Sequence, residues 1–169
     1  MEDSSRTTAM KIRAAVADDA AGIARTYLES AEHHAQLDGD RYWVPSVEAI
    51  TARYRDGRQH PPEAHAEAIT LVADLDGEIV GFADARLQQS PDAMHRDLTY
   101  CHIAEIAVSR RHQSQGIGAR LLRAAEDWGR AQGADLASLD YLAANTRAGA
   151  FYQQRMGYRI ASITAFRRL

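Results

Sequence analysis

Residues 110–122 read RRHQSQGIGARLL: two arginines and a polar run, then Gly116-Ile117-Gly118, then apolar residues at helical spacing. A glycine turn opening a helix makes a cradle for phosphate. Unpaired N–H groups at the helix start point at the anion, and glycine lets backbone come close. Three phosphate-binding loops compete for this stretch. A Walker loop needs G-x-x-x-x-G-K-[ST], and no Gly-Lys pair occurs in the chain. A dinucleotide fingerprint needs a third glycine where Leu121 stands, and its strand–helix unit belongs near the start of a domain, not after residue 98. The third pattern, Gln113-x-x-Gly116-x-Gly118, fits.

Working outward, LTYCHIAEIAV (98–108) is a long strand leading into the loop, and Ile117, Leu121, Ala125 and Trp128 stripe a helix that runs to Gly133. DLASLDYL (135–142) is a further strand. NTRAGAFYQQRMGY is a helix capped by Asn145 and closed by Gly157, and RIASITAFRRL is a closing strand. Upstream, KIRAAV (11–16) alternates as a strand. Asp18 and Asp19 offer an N-cap for a helix with Ile23, Tyr27 and Leu28 on one face. A second helix has Ser46 as N-cap, Val47, Ile50 and Tyr54 as its stripe, and Gly57 as its stop. Two β-rich runs flank Asp76-Gly77, a strong hairpin signal. Loops fall at 58–68 and 88–97. The order β-α-α-β-β-β-α-β-α-β implies an α/β (α+β) fold with a mixed sheet and helices on its faces.

The chain has 169 residues, 46% hydrophobic and 25% charged, which suits one globular domain over 11–169 behind a polar, disordered tail at 1–10. A net charge of −3 gives no reason to expect nucleic acid or an anionic membrane as partner. No run of about 18 apolar residues spans a membrane. With no secretory signal and a single cysteine, Cys101, cytoplasm is the expected compartment.

Gln113-Ser114-Gln115-Gly116-Ile117-Gly118 matches Q/R-x-x-G-x-G/A, and EIAVSRRHQSQGIGARLL resembles throughout the strand–loop–helix unit of the GNAT superfamily of acyl-CoA-dependent N-acyltransferases. Val108 stands where that family usually ends its strand with valine. Downstream, Asn145-x-x-Ala148, Phe151-Tyr152 and Met156-Gly157-Tyr158 resemble a second family segment, and VADLDGEIVGFADARL resembles its second and third strands. The resemblance implies a mostly antiparallel central sheet of six to seven strands flanked by about four helices. It also implies acetyl-CoA as donor and an amine as acceptor, and the residues themselves give no metal-ligand spacing.

By that resemblance the pantetheine arm lies between splayed strands ending near Val108 and Leu142, pairing with backbone around Ile106, Ala107 and Val108. The pyrophosphate sits on N–H groups from Gln113 to Ala119, thus Gln113, Ser114, Gln115, Gly116, Ile117, Gly118 and Ala119. Arg110 and Arg111 offer extra charge. Asn145 contacts the arm, and Tyr152 matches the family's common general acid and also a cofactor contact. The general base is open among Glu105, His102 and Asp140, with Glu105 preferred. His102 has the better ordinary pKa, and Glu105 needs burial to raise its own. Three residues apart in a strand, His102 and Glu105 face opposite sides unless a bulge intervenes, as it commonly does in this family, so at most one is expected to reach the acceptor.

For the acceptor, ESAEHHAQLDGDRYW (29–43) gathers Glu29, Glu32, Asp38, Asp40, Tyr42 and Trp43, acidic and aromatic groups suited to a cationic amine. Adjacent His33 and His34 point apart on a helix and make a poor metal pair. Direct attack of the amine on the thioester is the expected route, with a ping-pong intermediate on Cys101 disfavoured. The small-molecule amine is preferred over a protein or peptide amine. A catalytically silent CoA-binding sensor or interaction module is the alternative. The terminal ITAFRRL leaves a homodimer by strand exchange open.

Overall fold

The computed structural model describes residues 10–57, 67–91 and 94–168. Residues 1–9 of the expected tail, 58–66 of the first expected loop and 92–93 of the second lie outside the described residues. Met10 already belongs to the sheet. Five strands pair in the order β1 (Met10–Ala14), β2 (Ala68–Leu75), β3 (Glu78–Gln89), β4 (Thr99–Val108) and β5 (Leu136–Leu139). The first four are antiparallel neighbours, and β5 lies parallel to β4.

The turn between β2 and β3 is the expected two-residue hairpin. Asp76 and Gly77 both hold positive φ, 51° and 92°, which matches the twist of the flanking strands. The Gly77 amide donates to Asp74 Oδ1 at 2.7 Å. Ser46 caps α2 (Val47–Arg55) as expected, its hydroxyl accepting from the Ala49 amide at 3.2 Å. Asp19 does something else. Its carboxylate turns back from α1 (Ala20–Leu37) to accept from the Val16 amide at 2.8 Å and from both terminal nitrogens of Arg13 at 2.7 and 2.9 Å. Arg13 also donates to Asp74 at 3.0 Å, so one guanidinium ties β1, β2 and the start of α1 together.

Helices cover both faces. Ala20, Ile23 and Ala24 of α1 and Ile50 and Tyr54 of α2 bury Val72, Ile79 and Phe82. On the other face, Ile117, Leu121, Leu122 and Ala125 of α3 (Ile117–Ala131) cover Ala83, Ala85, Cys101 and Ile103. Phe82 is wholly buried, and such a ring contributes about 2–3 kcal/mol over an exposed one. Close approach needs glycine twice. A Cβ on Gly22 would stand 2.6 Å from that of Ile79, and one on Gly129 would stand 2.4 Å from that of Cys101. Among the described residues no helix is long and apolar enough to cross a membrane.

The sheet departs from expectation at its end. The order follows the sequence through α4 (Thr146–Ala150), but 159–168 forms no strand, so the sheet has five strands among the described residues, not six to seven. The reason lies in the pattern. Ile160, Ile163 and Phe166 recur every third residue, so no single strand face gathers them, and all three are exposed. The segment instead touches the loop after α1, where Arg41 stacks 4.2 Å over the Phe166 ring and Arg168 lies 3.1 Å from Asp40.

Candidate active site

Strands β4 and β5 separate where the chemistry is expected. Only Tyr100–Ile103 of β4 pair with β5; from Glu105 to Val108 the strand pairs with β3 on one edge and leaves the other open. A bulge marks the parting. Asp84 opposes Glu105 and Ala85 opposes Ile103, so Ala104 is an extra residue. Cys101 and Ile103 pack toward α3, and so do Ile106 and Val108 past the bulge, while Ala107 packs toward α1 and α2. The shifted alternation puts His102 and Glu105 on the same face, the α1–α2 face. This is the exception the sequence left open: one inserted residue keeps the two side chains from opposing each other.

Their environments differ. His102 Nδ1 is hydrogen-bonded to Ser138 Oγ at 3.1 Å, and burial followed by the nearby Arg86 charge lowers its pKa, favouring the neutral ring. Burial and then the Asp84 charge push Glu105 up to about 7, with Arg53 pulling the other way. Asp140, just past β5, is exposed, and its charge reaches His102. Tyr152 enters from the α3 side, buried among Tyr141, Phe151 and Tyr158. Burial and then the Glu105 charge push its phenol up to about 12. Base and acid candidates therefore feel each other across the open edge of β4. A π-helical turn, Phe151–Arg155, carries Tyr152 where the sequence suggests a plain helix. Asn145 caps α4, its Oδ1 accepting from the Ala148 amide at 3.1 Å.

The glycine loop follows the open edge. Ser109 donates its amide to Val80 O, a short 3-10 turn covers Arg110–His112, and Ser114 and Gly116 take left-handed φ of 64° and 81° before α3 begins. Alternating left-handed residues turn successive amides toward one concavity. No side chain caps α3, which leaves its first amides for a ligand. A Cβ on Gly118 would make only ordinary 3.7 Å contacts with Phe151 and Val108, so the fold itself does not demand glycine there. Arg110 and Arg111 are engaged elsewhere. Arg110 bonds Glu29 and Glu32 of α1, and Arg111 bonds Glu78 of β3. The cations beside the loop come instead from the later helix. Arg147 donates to Gln113 Oε1 at 2.8 Å and Ser114 Oγ at 3.0 Å, and Arg155 Nη2 comes within 3.9 Å of where a Gly116 Cβ would stand. Sequence reading passed over both.

It also passed over Asp84. This carboxylate is 1% exposed, accepts from Tyr54 Oη at 2.6 Å and Thr70 Oγ1 at 2.7 Å, and burial pushes it up to about 6 despite those bonds. Its one sequence signal is an acid inside the apolar run IVGFADARL. The acidic residues of 29–43 are largely occupied by arginines: Glu29 and Glu32 by Arg110, Asp38 by Arg41 at 2.6 Å, Asp40 by Arg168. His34 Nδ1 lies 2.8 Å from Ser30 O, and its ring packs 5.3 Å from Tyr42. Cys101 faces α3, away from Glu105, and burial pushes its thiol up to about 11. A cavity of about 460 Å³ between β1, β2 and the end of α2 is lined by Tyr54 and Thr70, not by Glu105 or Tyr152.

Comparison with known proteins bears on the family and the fold. The profile of the Acetyltransferase (GNAT) family matches residues 40–158. The N-terminal acetyltransferase A complex catalytic subunit NAA10 of Arabidopsis thaliana is 27% identical over 100 residues, 59% of this chain; the matched region spans about half the length of that relative. In structure, a mutant BH1408 protein from Bacillus halodurans superposes with a TM-score of 0.82 at 24% identity, covering 94% of this chain and 99% of the other. Aminoglycoside N-acetyltransferase AAC(6')-Iy in complex with CoA superposes with a TM-score of 0.70 at 20% identity, covering 98% and 97%. These likenesses at low identity establish the fold, and the profile match over 40–158 establishes that this chain belongs to the acetyltransferase (GNAT) family.

Proposed function

We propose that the protein transfers an acetyl group from acetyl-CoA to a primary amine, by direct attack within a ternary complex. A small-molecule amine is favoured over a protein amine. The observation that carries the reading is the open edge of β4 at 104–108, flanked by Glu105 on one face and Tyr152 on the other and continuing into the uncapped glycine loop. The backbone of Ile106, Ala107 and Val108 offers the pantetheine amides a strand to pair with. Amides from Gln113 to Ala119 receive the pyrophosphate, with Arg147 and Arg155 supplying positive charge.

In the transfer, the amine nitrogen forms a bond to the thioester carbonyl carbon and the carbon–sulfur bond breaks. Glu105, pushed up to about 7, takes the proton released from nitrogen, directly or through one water. Tyr152 gives its proton to the departing thiolate and recovers one from solvent. A phenol held near 12 is a weak donor toward a thiol near 8.5. The Glu105 charge is the second cause of that elevation, and it disappears once Glu105 accepts the amine proton. Taking the first proton therefore eases delivery of the second. Cys101 has no part in this route.

The test is thiol release from acetyl-CoA across a panel of small amines and peptides. Release with at least one amine, strongly reduced by Glu105→Gln and by Tyr152→Phe, is the expected result. Tight CoA binding with no release for any acceptor would replace this reading with that of a CoA-binding module.

A further inference from the structure

Two acids stand directly opposite each other inside this sheet, at the last pair before the bulge. Directly opposed residues on one face bring their Cβ atoms to about 5 Å, and like charges there are destabilising. Asp84 is nonetheless fixed by two hydroxyls on separate elements, Tyr54 of α2 and Thr70 of β2. A neutral side chain would fill this site at lower cost, since burying a charge is expensive even when it is hydrogen-bonded. Among the described residues no arginine neutralises the pair by a direct bond, in contrast to Asp19 and Asp74, which share Arg13.

We propose that Asp84 is a positioning residue for acyl transfer: held by Tyr54 and Thr70 across from Glu105, its carboxylate makes Glu105 the stronger base. Asp84 touches neither substrate nor cofactor; it acts through Glu105. The other groups facing Glu105 are Arg53 of α2, which opposes the effect, and the phenols of Tyr27 from α1, Tyr54 from α2 and Tyr152 from the π-helical turn. His102 shares the face, with Arg86 and Asp140 around it. Of these, Asp84 is the group whose charge raises Glu105. The inference rests on the proposed role of Glu105 in acetyl transfer.

The test reads Glu105 without needing turnover. Carboxyl-carbon NMR of the whole protein follows the Glu105 titration, assigned by its loss in Glu105→Gln. In Asp84→Asn the midpoint is expected to fall by about one pH unit, a tenfold loss of proton affinity. Thr70→Val, nearly equal in shape, leaves Asp84 one hydroxyl and is expected to move the midpoint the same way by less. A midpoint unmoved in Asp84→Asn, or in Thr70→Val should Asp84→Asn fail to fold, overturns the proposal. The acid limb of kcat/KM for thiol release should move with the NMR midpoint, and a limb that stays fixed while the midpoint moves overturns the positioning role. If the midpoint moves while no amine supports thiol release, the effect of Asp84 on Glu105 stands and the acetyl-transfer reading falls.

Discussion

Arg147 of α4 clasps Gln113 and Ser114 of the glycine loop, at 2.8 Å and 3.0 Å, so the segment that leads into Tyr152 also steadies the loop proposed to hold the donor. Gln113 in turn donates to Val108 O at 3.2 Å, fastening the loop to the end of the open strand edge. Removing the guanidinium takes away two hydrogen bonds and a local positive charge. Arg147→Ala is expected to weaken CoA binding about tenfold, given about 1.5 kcal/mol for a charged hydrogen bond at a partly exposed site. Calorimetric titration with CoA measures it, and kcat should change less than KM for acetyl-CoA.

Glu105 and Tyr152 should separate cleanly from His102. Loss of a general base or acid costs about 10² to 10⁴ in rate. Glu105→Gln should fall in that range, Tyr152→Phe near its lower end, and His102→Gln should keep most of its turnover because its ring is bonded to Ser138. Steady-state thiol release, with circular dichroism to confirm folding, decides among them. A loss in His102→Gln as deep as in Glu105→Gln would reassign the base.

Stability should respond to pH in two opposite ways. Glu105 is pushed up from its ordinary value to about 7, so the folded state holds its proton more tightly than the unfolded chain. That contribution is full below the unfolded value and is lost as pH rises through about 7. Asp19 and Asp74 are lowered, Asp19 mainly by Arg13 and Asp74 mainly by the Gly77 amide, so their contribution is present above their unfolded value and lost as pH falls through the lowered one. The thermal midpoint should therefore be higher near pH 5 than at pH 8 and collapse in stronger acid. Glu105→Gln should flatten the neutral side, and Arg13→Ala should bring the acid collapse to higher pH.

Cys101 should be chemically silent. Its sulfur is buried against α3 and donates to Ala125 O at 3.4 Å, with the thiol pushed up to about 11 by burial and then by Glu126. Thiol reagents should label it only after unfolding. Cys101→Ala should keep turnover within about twofold while costing about 1 kcal/mol of stability, read from denaturant curves.

Residues 160–168 join no strand, and their contacts to Arg41 and Asp40 lie at the surface. Exposed pairs of this kind contribute about 0–1 kcal/mol. Ending the chain after Arg159 should lower the thermal midpoint little and leave CoA affinity unchanged. A large loss would mean that these residues complete the sheet after all.

What could be read from the sequence divides by range. The Asp76-Gly77 hairpin, the Ser46 and Asn145 caps and the glycine loop depend on residues within a few positions of one another, and all stand as their local chemistry requires. The opposition of Asp84 and Glu105 depends on register across two strands and on one bulged residue, Ala104, for which the sequence has no distinguishing mark. Arg147 reaches 34 positions back to Gln113. The closing strand failed for a different reason: its β-rich composition suggested a strand, but its apolar spacing of three gave the sheet no face to bury.

Gly129 carries a last implication. The far end of α3 rests on Cys101 so closely that a single added methyl would stand 2.4 Å from its Cβ. From there the helix runs about 20 Å, at 1.5 Å per residue, to the uncapped amides at its start, the ones proposed to receive the donor's phosphates. The contact is thus a fulcrum. A methyl group at residue 129 would rock α3 as a rigid arm, and the displacement would emerge at the glycine-loop end, where nothing has been changed.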